Sequence, residues 1–364
     1  MEKAWRRFIP GFLVSVLVLS GIVWGVVSLA SNGAPTPSGE GAKSGAPTSA
    51  SSPAGVTGPA SAGSPEPAGS PEPAGSAEPA GSAAPATGPA SASSPSSPAP
   101  TPVDTDPSAA LTRYDPTSLS GQAVPLGDPP GWKQVFADDF TEGNVPLGSF
   151  PGSLSTKWSA NYFDGTPDTA GQKNGGRSGY YPSKVLSVHN GVLDMYLHSE
   201  GGVSMGAAPA PKINGDNQPP YDSQMYGMYS VRFRSDAVPG FKTAWLLWPD
   251  SGIWPRDGEI DYPEQDLSAK FFAALHSTGS NQESASATFQ TDASFQTWNT
   301  ATIEWTPGRV EFFLNGKSIG ASTSGVPDVP MHYILQTESC LPTCPNPKTQ
   351  GHLYVDWVAI WALR

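Results

Sequence analysis

From residue 132 onward the chain consists of short runs in which apolar and polar residues alternate, broken by Gly, Pro, Asn and Asp. A period of two predicts strands. The runs at 191–199, 225–235, 269–277, 299–306, 309–320 and 353–363 all read this way. In the fifth, Asn315-Gly316 joins RVEFFL to KSIG, and because both residues accept positive φ the pair predicts a hairpin. No stretch keeps a 3.6-residue apolar period for three turns, so no helix is predicted here. Many short strands over residues 126–364 predict an all-β fold, an antiparallel β-sandwich whose inner faces fill the core and whose outer face can curve into a groove.

The pattern is different at the N-terminus. Residues 8–30 carry no charge and follow Lys3, Arg6 and Arg7, which predicts a transmembrane segment with the rest of the chain on the extracellular side. The alternative is a signal peptide cleaved after Ala30, since Ser28-Leu29-Ala30 offers small residues in the right places, and the protein would then be secreted. Residues 31–125 are dominated by Ala, Pro, Ser, Gly and Thr, with GSPEPA at 63 and 69, GSAEPA at 75 and GSAAPA at 81. Such a stretch cannot bury enough apolar surface to offset its ordering entropy, and it reads as a disordered linker. One folded domain, 126–364, is left.

Charge narrows the partners. Residues 1–30 sum to +2 and residues 31–120 to −5, leaving −9 of the total −12 on the rest. That surface repels phosphate backbones, so nucleic acid is excluded and neutral polymers remain. A monomer is expected. Cys340 and Cys344 are the only cysteines, and outside the cell they are expected to form one local disulfide closing a small loop.

The chemistry concentrates at 258–264, GEIDYPE. In a strand Glu259 and Asp261 share a face, while Glu264 would point to the other side. A β-bulge at Tyr262 and Pro263 would return Glu264 to that face, and Pro263, having no N–H for the ladder, suits such an irregularity. Two carboxyls flanking one bond are what retaining glycoside hydrolysis needs, one ionised and one protonated at the start. Glu259 and Glu264 supply them, and Asp261 between them can hydrogen-bond the nucleophile and help split the two pKa values.

Just upstream stand Trp245, Trp248 and Trp254. Alternation puts Trp245 with Leu247 on one face and Leu246 with Trp248 on the other. Sugar rings stack on exposed aromatic planes, so Trp248 and Trp254 are expected as substrate-binding groove residues, with Trp245 a further candidate.

MYGMYSVRFRS, AWLLWP, DGEIDYPE, ALHSTG, TIEWTPGRVEFFLNG and VDWVAIW follow one another in an order that resembles glycoside hydrolase family 16, the laminarinase, lichenase and agarase group. The resemblance implies a β-jelly roll of the concanavalin A-like kind with a concave glycan cleft. It implies Glu259 as nucleophile, Asp261 as assisting carboxylate and Glu264 as acid/base, in the bulged form of the signature that laminarinase-like members carry. It also implies that His276 faces the cleft near the acid/base, that Asn161 and Tyr162 reach into it from the loop side, and that Asp356 could help hold a structural calcium. No cofactor is required.

The reading is an anchored or secreted endo-β-glycanase acting on a laminarin-like β-glucan or related polysaccharide. A transglycosylase would use the same residues, and a noncatalytic glycan-binding protein the same cleft. The loops at 200–222 and 278–297, which would choose the substrate, carry no readable motif.

Overall fold

The computed structural model describes residues 105–213, 222–282 and 284–364. The expected membrane segment at 8–30 and the repeats from 63 onward lie outside the described residues. Among the described residues no helix is long and apolar enough to cross a membrane.

The domain is an all-β sandwich. One sheet has six strands in the order Ser223–Gln224, Met331–Ser339, Phe241–Pro249, Glu259–Asp266, Lys270–His276 and Ala287–Ser294, each antiparallel to its neighbour. In the other, Lys317–Ser322, Arg309–Leu314, Asn299–Thr306, Gly227–Ser235, Gly351–Leu363 and Val192–Glu200 lie side by side, and Trp132–Asp138 also pairs with Gly351–Leu363. Ser178–Tyr180 against Val203–Gly206 is parallel. Aromatics join the two inner faces: Phe233 meets Trp245 at 5.1 Å, Tyr229 meets Tyr333 at 5.3 Å and Tyr262 meets Phe312 at 5.7 Å.

All six predicted runs are strands, with ends within two residues of the expected ones, and Asn315-Gly316 makes the hairpin turn with φ of 50° and 80°. Met331–Ser339 was hidden because both of its faces are covered. Met331, Tyr333 and Leu335 enter the main core while Ile334 joins an apolar cluster on the opposite face, so no polar alternation survives to be read. Ala287–Ser294, expected within a loop, is a strand at the edge of the six-stranded sheet.

The expected linker boundary at 125 is too late. Asp106 accepts from the Ser108 N–H at 2.7 Å to cap the 3-10 turn Pro107–Leu111, and its other oxygen accepts from the Thr302 hydroxyl at 2.7 Å. Arg113–Tyr114 pairs with Gln122–Ala123, and the Ser118 and Ser120 hydroxyls donate to Asp356 at 2.8 and 2.6 Å. Residues 105–125 therefore belong to the domain, held by polar side chains that no apolar pattern reveals and by Leu111 and Val124 packed against the cluster of Trp132, Met228 and Trp361.

Candidate active site

The Glu259–Asp266 strand lies inside the six-stranded sheet, and its side chains sort as the bulge requires. Ile260 and Tyr262 enter the core, while Glu259, Asp261 and Glu264 take the opposite, outer face. The register shifts between Asp261 and Glu264 against the Lys270–His276 strand, where Asp261 faces Ala274 and Glu264 faces Phe272. The same shift appears on the other side, where Leu246 faces Asp261 and Ala244 faces Glu264. Tyr262 and Pro263 thus occupy one ladder step, and Tyr262 anchors the bulge by packing against Phe271 and Phe312. Gly258 immediately precedes the strand with φ of 78°, and a Cβ there would lie 2.7 Å from the His276 carbonyl oxygen. Only glycine fits beside Glu259.

His276 stands directly across from Glu259, its Nε2 3.6 Å from Asp261 Oδ2 and 4.0 Å from Glu259 Oε2. This corrects the expectation that it lies near Glu264. Ligand-type atoms of Glu259, Asp261 and His276 all fall within 4.8 Å of one another. Burial, then the Glu264 carboxylate, pushes the Glu259 carboxyl up to about 8. Asp261 is driven well above the usual carboxylate range by burial and by the charges of Glu259 and Glu264. Crowded carboxyls in a dry setting cannot all ionise, so the pair retains a proton.

Glu264 is held differently. Its Oε1 accepts from Lys242 Nζ at 2.8 Å, with 20% of the Glu264 side chain and 19% of the Lys242 side chain exposed. Burial pulls the Lys242 ammonium down, but the Glu264 and Glu338 carboxylates outweigh it and the net direction is up. Beyond Lys242, the buried Glu338 accepts from Thr169 and from the Tyr180 hydroxyl. Burial and Glu338 push the neighbouring Asp168 up to about 6.

Trp248 and Trp254 stack at 6.2 Å with an 18° interplanar angle, and Trp254 lies 5.7 Å from the His276 ring. Both are beside the carboxyls. Trp245 is not: it is fully buried in the main core against Phe233, which removes it from the substrate-binding set. Asn161 sits in a turn with φ of 66°, its N–H bonded to Ser159 Oγ at 3.0 Å. Its neighbour Tyr162 is the one that reaches the outer face, stacking on Tyr180 at 4.5 Å in the cluster that holds Leu246, Ile334 and Trp248.

Asp356 lies on the other sheet, away from these groups. Its Oδ2 is taken by the Ser118 and Ser120 hydroxyls, and Arg232, bonded to Ser120 at 2.6 Å, supplies the balancing charge. A carboxylate already met by two hydroxyl protons and a guanidinium does not fit a calcium ion, which takes six or more oxygens and no cation beside them. Cys340 and Cys344 are bonded to each other.

Sequence reasoning passed over Lys242, Tyr180 and Glu338. Lys242 had a signal: in FKTAWLLW it shares parity with Leu246 and Trp248, so the alternation that sorts the tryptophans also puts this lysine on the carboxylate face.

A sandwich that gathers two glutamates, an intervening aspartate and stacked tryptophans on one outer face is the architecture of a glycosidase, and that is the class of this enzyme. Residues 218–359 match the family model described as Glycosyl hydrolases family 16. Among solved structures, SCLam, a non-specific endo-β-1,3(4)-glucanase from family GH16, is similar at 18% identity and a TM-score of 0.50 over 69% of this chain and 99% of that one. A mutant of SCLam co-crystallized with 1,3-β-D-cellobiosyl-cellobiose aligns at 17% identity and 0.51 over 65% and 97%. The endo-1,3-β-glucanase (laminarinase) catalytic domain from Thermotoga petrophila RKU-1 aligns at 20% and 0.48 over 64% and 98%. No curated protein sequence matches the chain.

Proposed function

We propose that the protein is a retaining endo-β-glycanase that cuts a laminarin-like β-glucan, with Glu259 as nucleophile and Glu264 as acid/base. The observation that carries this is the bulge at Tyr262 and Pro263, which sets both glutamates on one face of one strand with Asp261 between them. In the first step Glu264 gives its proton to the glycosidic oxygen as a Glu259 oxygen bonds to the anomeric carbon and the leaving chain departs. In the second, Glu264 takes a proton from water, whose oxygen displaces Glu259 with a second inversion. The attacking form is the one in which Glu259 has lost its proton and Asp261 donates its own as a hydrogen bond, and with the Glu259 carboxyl raised to about 8 that form grows as pH rises. His276 braces that pair, and Trp248 and Trp254 offer flat faces to sugar rings. The likeness to SCLam supports the β-glucan direction. The apolar segment at 8–30 and the Ala/Pro-rich stretch support placement of the domain outside the membrane.

Chemical rescue tests the roles. A Glu259→Ala variant is expected to lose reducing-sugar release from laminarin and, with azide, to form a glycosyl azide whose anomeric configuration is inverted. Full activity in Glu259→Ala would defeat the assignment. So would an azide product that appears only with Glu264→Ala and is already inverted.

A further inference from the structure

Glu264 leaves the bulge with little to hold it. The residues level with it on the two flanking strands are Ala244 and Phe272, and neither side chain can hydrogen-bond. Support comes from Lys242, which shares a strand face with Ala244 and sends its ammonium 2.8 Å from Glu264 Oε1. Two other carboxylates flank Lys242 in the ladder, Asp266 on one side and Glu338 on the other. Asp266 is already engaged, its Oδ2 with the Gly240 N–H at 2.7 Å and its Oδ1 with the Ser268 N–H and hydroxyl at 2.9 and 2.5 Å. Glu338 Oε1 is taken by Thr169 and Tyr180. Among the described residues it is Glu264 that the lysine ammonium hydrogen-bonds, with Glu338 acting on it through charge.

We infer that Lys242 is a positioning residue for the reaction, a clamp whose ammonium donates to Glu264 Oε1 and holds that carboxyl, protonated in the first step and ionised in the second, toward the leaving oxygen. The inference rests on the reading of Glu264 as acid/base. A general acid works only within hydrogen-bond reach of the oxygen it protonates, and misplacement of about 1 Å costs on the order of 100-fold. In the first step the loss therefore falls on substrates whose leaving oxygen needs the proton and spares those that depart without it, while the second step, with Glu264 as base, is common to both.

The test uses Lys242→Met and Lys242→Arg in the full chain, with laminarin as the poor-leaving-group substrate and 2,4-dinitrophenyl β-laminaribioside as the one that departs unprotonated. Lys242→Met is expected to lower kcat/KM, which reports the first step, roughly 10- to 100-fold on laminarin and less than about threefold on the dinitrophenyl glycoside. Lys242→Arg should recover most of the laminarin rate, because it restores a charged donor. Equal losses on both substrates, or none on either, overturn the inference. Glu264→Gln run alongside separates the two failures: if it lacks the same substrate selectivity, the acid/base reading is what has failed. A crystal structure of Lys242→Met tests the clamp without turnover. The Glu264 side chain should leave its present position, and a single conformer in place would overturn the clamp.

Discussion

Trp245 and Trp248 stand three residues apart on one strand, and the sandwich gives them opposite fates. Trp245 is fully buried between the sheets, packed edge-on against Phe233, and truncation to alanine removes the whole indole from a close-packed core. Such a deletion costs about 3–5 kcal/mol, a large part of a typical domain stability of about 5–15 kcal/mol. For a domain of this size that is a fall in Tm of roughly 6–20 °C. Trp245→Phe should cost less than about 2 kcal/mol, because the Trp245 indole N–H is buried with no hydrogen-bond partner among the described residues and its removal offsets part of the lost contact. Trp248→Ala, on the partly exposed outer face, should change stability by less than about 1 kcal/mol and raise KM for laminarin roughly 2- to 12-fold, the worth of one stacking contact. Urea unfolding followed by intrinsic fluorescence, with midpoint and slope fitted separately, measures the first effects, and initial rates measure the last. The reasoning is refuted if Trp245→Ala leaves the midpoint in place while raising KM, or if both alanine variants lose the same stability.

Three further outcomes follow from the same structure. Glu259, Asp261 and Asp168 all have carboxyls raised by burial and neighbouring charge, so the folded state binds more protons than the unfolded chain between about pH 4 and 8. Stability should therefore decline as pH rises through that window, and Asp261→Asn should flatten the decline and exceed wild type in Tm at pH 8. Millimolar calcium or a chelator should move Tm by less than about 1 °C, whereas Ser120→Ala, which takes a proton from buried Asp356, should cost about 1–3 kcal/mol in thermal or urea unfolding. A chain starting at residue 105 should unfold cooperatively near the full-length midpoint, and one starting at 126 should unfold several degrees lower, having lost the contacts from Asp106, Ser118 and Ser120.

What the sequence shows and what it hides follow one rule. A strand that sets polar residues on one face and apolar residues on the other writes its period openly, and 299–306, with Thr300, Thr302, Glu304 and Thr306 alternating with Ala301, Ile303 and Trp305, could be read to the residue. A strand that also carries apolar residues on its outer face does not, and in MHYILQTES Ile334 on that face breaks the alternation set by Met331, Tyr333 and Leu335. GEIDYPE was legible to the level of the bulge, because three acids and a proline admit few arrangements on a strand. His276 and Trp245 were misplaced for want of register and of knowledge of which parity faces the core. Those are properties of strand pairing, and a single chain does not spell them out.

The central claim is that one carboxylate on this strand attacks the sugar. Incubation with 2-deoxy-2-fluoro-β-laminaribiosyl fluoride should stall the enzyme as a covalent adduct, since the fluorine slows both steps and the good leaving group lets the first proceed. Intact-mass measurement followed by peptide mapping should find one added glycosyl group, carried by Glu259. A label on Asp261 or Glu264, or no label in an enzyme that still cuts laminarin, would contradict the account.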